Sequence, residues 1–73
     1  MDCHTERFES GWIGASLELS TKEIEKLIEH LEYLKNSPES HFHLTSNYEG
    51  SPGVGDIEFS HTPECQKNNM QIG

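Results

Sequence analysis

One helix is written into this chain more fully than any other element. Ser20 precedes Thr21-Lys22-Glu23, the arrangement in which the serine side chain accepts from the third helical N–H while the glutamate reaches back to the serine N–H. Ile24, Leu27, Ile28, Leu31 and Leu34 follow at i, i+3, i+4, i+7 and i+10, which gathers them into one apolar stripe about 120° wide at ~100° per residue. Lys35 suits the negative end of the helix dipole, and Asn36-Ser37-Pro38 stops the helix because proline cannot continue it. The spacing predicts a helix over roughly 21–36 whose stripe has to cover a sheet.

The material for that sheet alternates with period two. Ile13, Ala15, Leu17 and Leu19 are interleaved with Gly14, Ser16 and Glu18, predicting a half-buried strand. A short edge strand over 5–9 is expected upstream, joined through Ser10-Gly11. His41 to Thr45, with Phe42 and Leu44 inward, and Asp56 to Ser60, with Ile57 and Phe59 inward, read as the two strands of a hairpin. Inward residues face inward residues, so Leu44 stands opposite Ile57 or Phe59; the first register sets His43 opposite Glu58. The segment 46–55 holds three glycines and a proline and is too long for a tight turn, so it reads as a projecting loop. Met70 and Ile72 leave room for one short final strand.

Together these predict a single small α+β domain over 1–73. One helix packs on a small, mostly antiparallel sheet of three or four strands, in the order β-α-β-β with short terminal strands. The two main strands flanking the helix are expected to lie parallel through a right-handed crossover.

Composition narrows the partner. Thirteen acidic against five basic residues give a net charge of -8, which disfavours nucleic acid and anionic membrane surfaces and favours a basic protein. Leu, Ile, Val and Phe make up 15 of 73 residues, close to the composition at which chains stop folding alone, so a homodimer is expected. Cys3 and Cys65 lie outside the expected elements and form no CxxC pair, consistent with reduced cysteines in the cytoplasm. The start Met1-Asp2-Cys3-His4 has neither a basic nor an apolar signal region, and no run reaches membrane-spanning length. No nucleophile elbow and no motif-placed Cys-His pair is present, so no enzyme activity and no cofactor are expected.

Five histidines raise the question of a metal. His41 and His43, two apart on one strand, project from the same face, and His61 stands at the end of the next strand. Glu58, Cys3, His4 or Cys65 would have to complete such a set, and none stands in a zinc-type spacing. Solvent-facing strand histidines are the expected outcome, with His41, His43 and His61 as the metal alternative. The 50–55 segment lacks the Gly-Lys-Ser/Thr ending of a phosphate loop and precedes a strand, so it reads as a flexible loop carrying Tyr48. On the helix, Glu25, Glu29 and Glu32 line one acidic flank and Tyr33 points away from the apolar stripe. These four residues and Tyr48 are the expected partner-binding set, combining charge with aromatic anchors.

The words Leu-Glu-Leu-Ser-Thr-Lys-Glu-Ile-Glu-Lys-Leu-Ile-Glu-His-Leu at 17–31, His-Phe-His-Leu at 41–44 and Asp-Ile-Glu-Phe at 56–59, in this order of elements, resemble the immunity protein 32 family. The likeness covers about residues 12 to 60. It implies a bacterial cytoplasmic protein that binds and neutralises the toxin domain of a polymorphic toxin system, and it transfers no site residue. The net charge points the same way independently, since an acidic protein suits a basic, nucleic-acid-cleaving toxin. The alternative is a homo-oligomeric interaction or metal-sensing module that works through the histidine face.

Overall fold

The capping box forms, and the helix it starts lies between two β-hairpins along the chain. In a computed structural model describing residues 1–73, the chain runs β1 (Asp2–Arg7), β2 (Ile13–Glu18), α1 (Thr21–Asn36), β3 (His41–Thr45) and β4 (Asp56–Ser60). Glu23 N donates to Ser20 Oγ at 3.2 Å, and Ser20 N donates to Glu23 Oε1 at 3.0 Å, so two of the helix's unpaired donors are satisfied reciprocally. At the other end, Ser37 N donates to the Leu34 carbonyl at 3.2 Å. His61 Nδ1 lies 2.9 Å from the same oxygen, and because a carbonyl only accepts, Nδ1 carries the proton.

The class is α+β, with two small antiparallel sheets and the helix set against the second of them. β1 pairs with β2, and β3 pairs with β4. In the second hairpin Leu44 is opposite Ile57 and His43 opposite Glu58, the expected register. β2 and β3 do not pair, so neither the single three- or four-stranded sheet nor the parallel crossover forms. Each hairpin closes over a short stretch of chain, whereas β2 and β3 are separated by the whole helix, and local closure costs less chain entropy.

Two boundaries also differ from expectation. β1 begins at Asp2 rather than residue 5, which places Cys3 inside a strand, and residues 8–12 form the turn. Phe8 N donates to the Trp12 carbonyl at 2.9 Å, and Gly11 N to the Phe8 carbonyl at 3.0 Å. The Phe8 ring lies over Gly14, where a Cβ would stand 2.9 Å from Phe8 Cζ, so Phe8 is used to close the turn instead of extending the strand. No final strand forms. Met70 and Ile72 are exposed, since two apolar side chains with turn residues before them have little to gain from pairing.

Packing is concentrated on one side of the helix. Phe42 and Phe59 stack in parallel at 4.9 Å, and His30 meets Phe42 edge-on at 5.2 Å. Leu34 is buried at 7% exposure, the one residue so enclosed, while Ile24, Ile28 and Leu31 remain 40–49% exposed. The β3–β4 hairpin therefore covers the His30–Leu34 flank of the stripe and leaves the other half open. The chain exposes 6906 Å², against about 4,600 Å² for a compact monomer of 8.3 kDa, an excess of roughly 2,300 Å². Its radius of gyration is 14.2 Å, where a compact domain of this length has about 11 Å.

Candidate functional site

Three surfaces carry the polar and aromatic residues singled out by the sequence. The first is a shallow groove of about 400 Å³ between α1 and the start of β3, lined by Glu29, Tyr33 and Leu34 on the helix and His41 and Phe42 on the strand. It exists because β3 packs to one side of the stripe, so Tyr33, expected to point away from all packing, becomes the groove's outer wall while staying 69% exposed. Glu25 and Glu32 lie on the same helix flank, one turn apart from Glu29 on either side, and both are exposed.

Tyr48 belongs to a different surface, so the five expected partner-binding residues are divided between two. It stands in the loop over a cleft of about 850 Å³ between the two hairpins, whose walls include Cys3 and Leu17 from the first and Leu44 and Ile57 from the second. The loop is tied across its base by Ser46 N donating to the Gly55 carbonyl at 2.9 Å. Tyr48 has φ 59°, a conformation that costs a non-glycine residue energy, and local bonds hold it there. Its N–H donates to Ser46 Oγ at 2.9 Å, and Glu49 N donates to Asn47 Oδ1 at 3.1 Å. Its ring covers Gly55, where a Cβ would lie 2.9 Å from Tyr48 Cε1. Tyr48 and Gly55, at either side of this Gly- and Pro-containing segment, are the sequence signal that could have shown it folding back rather than projecting.

Glu23 lies at the edge of the same cleft. Its carboxylate bonds the Met1 ammonium, and with the Ser20 N–H as the next cause its pKa is lowered from 4.5 to about 2. Both cysteines are free, Cys3 half-buried and Cys65 exposed.

The third surface is the outer face of β3–β4. His43 Nδ1 lies 2.9 and 3.0 Å from the two carboxylate oxygens of Asp56, and His43 Nε2 lies 3.5 Å from Glu58 Oε1. The His41 ring stands edge-on to His43 at 5.2 Å. One ligand atom each from His41, His43 and Glu58 lies within 4.8 Å of the others. His61 does not join them, because its ring is spent on the Leu34 carbonyl at the end of α1. A second group, Asp2, His4 and Glu18, meets the same distance limit on β1–β2.

No helix of the chain is long and apolar enough to cross a membrane. Comparison with protein-family models, with curated proteins and with solved structures finds no match for this chain.

Proposed function

We propose that this chain is a small acidic immunity protein of the bacterial cytoplasm, which binds a cognate toxin domain and neutralises it by occupying its surface. The observation that carries this reading is the half-covered helix. Ile24, Ile28 and Leu31 form an open apolar strip bordered by Glu25, Glu29 and Glu32, on a chain of net charge -8. A strip of this composition suits a partner that is basic around an apolar centre: the charges steer the encounter and the apolar centre holds the complex. The excess exposed area is ample, since one side of a standard protein interface buries about 800 Å². The resemblance at 17–31, 41–44 and 56–59 supplies the toxin as the partner class.

Co-expression with the product of the adjacent gene tests the proposal. The wild-type chain rescues growth and co-purifies with that product; failure of both removes the immunity reading. Charge reversal at Glu25, Glu29 and Glu32 slows association and weakens its salt dependence, while Ile28→Glu speeds dissociation.

A second reading has its own support, in the same open strip together with the unpaired edges of two separate hairpins. These suit a second copy of the chain. Sedimentation of the chain alone at micromolar concentration separates the two: a dimer supports self-pairing, and a clean 8.3 kDa species removes it under those conditions.

A further inference from the structure

We propose that the outer face of the β3–β4 hairpin is a binding site for a zinc-class divalent cation, with His41, His43 and Glu58 as ligands and Asp56 as the positioning residue for His43. This is independent of what covers the helix, because the site uses the opposite face of the hairpin from Phe42 and Phe59.

Strand periodicity and register assemble the set. His41 and His43 are two apart and so share a face, and Glu58 is the direct cross-strand neighbour of His43. Zinc–nitrogen and zinc–oxygen bonds of about 2.0–2.2 Å in a tetrahedron place ligand atoms roughly 3.4 Å apart. The His43 Nε2 to Glu58 Oε1 distance of 3.5 Å already matches one such edge. One ligand atom from each of the three exposed side chains lies within 4.8 Å of the others.

Asp56 makes the set more than a coincidence of exposed residues. An ionised carboxylate only accepts, so the bond from His43 Nδ1 to Asp56 fixes the proton of the neutral ring on Nδ1 and leaves Nε2, 3.5 Å from Glu58 Oε1, free as the ligand atom. A carboxylate behind the ligating imidazole is the arrangement that orients metal-bound histidines and raises their basicity. Two imidazoles and one carboxylate favour late first-row cations over calcium or magnesium, and the fourth position stays open to solvent. The group Asp2, His4 and Glu18 also has a 3.5 Å edge, from His4 Nδ1 to Asp2 Oδ2, but it offers a single imidazole, which makes it the internal control.

The test is calorimetric titration of Zn²⁺ into the full-length chain with its cysteines reduced, together with Co²⁺ absorption spectra. One ion per chain is expected. His41→Ala or His43→Ala lowers the affinity at least ~100-fold, and Asp56→Asn lowers it about 10- to 100-fold through lost orientation. Glu58→Gln, which preserves shape, weakens binding with an unchanged helix signal in circular dichroism, separating ligand loss from unfolding. His4→Ala leaves affinity unchanged. The proposal is overturned if no stoichiometric binding occurs, if His41→Ala and His43→Ala leave the affinity intact, or if the Co²⁺ complex shows thiolate charge-transfer bands, which would assign the ion to Cys3 or Cys65.

Discussion

Glu23 holds two positions at once: it completes the capping box and it bonds the Met1 ammonium. Its pKa of about 2 in the folded chain lies below the ordinary 4.5, so the folded state favours the ionised form more than the unfolded state does. The resulting stabilisation is fully present above pH ~4.5 and is lost as pH falls from there through about 2. With the carboxylate one-third exposed, solvent screens the effect and keeps it modest. We expect the urea midpoint of the wild-type chain to fall between pH 5 and pH 2, with the part due to Glu23 missing in Glu23→Gln. N-terminal acetylation, which removes the ammonium but leaves Ser20, should raise the Glu23 pKa part of the way back. An identical acid loss in wild type and Glu23→Gln would place the titrating group elsewhere.

On the helix as an element, burial is unequal along one apolar stripe, and truncation costs should follow it. Leu34→Ala is expected to destabilise by about 2–3 kcal/mol, because the residue is enclosed and the thin packing around it collapses only in part. Leu31→Ala, at 40% exposure, should cost under about 1 kcal/mol. Comparison of denaturant midpoints at equal m-value decides this, and equal costs would mean that the open half of the stripe is covered in solution. The same contrast shows how far the sequence could be read. The extent of α1, its caps, β3, β4 and the register of Leu44 on Ile57 were all legible, because each depends on a local period or a local hydrogen bond. Whether β2 joins β3 depends on packing across the helix, to which periodicity is blind. His61 illustrates the same limit: as a residue it looks like a ligand, and only the position of the Leu34 carbonyl shows it to be a helix-end donor. Asp56, in contrast, was assigned no role, although its place next to the His43–Glu58 cross-strand pair was already implied by the register.

For the whole molecule, the open strip and the missing β2–β3 pairing have one cause. The first hairpin and the second each close on themselves, and the second is the one that encloses Leu34. Two-stranded hairpins are marginal by themselves, and separate units share a single transition only when they bury surface against one another. The backbone amide resonances of β1 and β2 follow the first hairpin, while far-ultraviolet circular dichroism follows α1. Heating the chain alone should give two melting curves that do not coincide. A bound partner that spans the strip and the first hairpin should merge them into one. Coincident curves for the free chain at every concentration would show the halves already joined. On this expectation the chain gains cooperativity only through assembly, and its thermal denaturation profile reports whether it is bound.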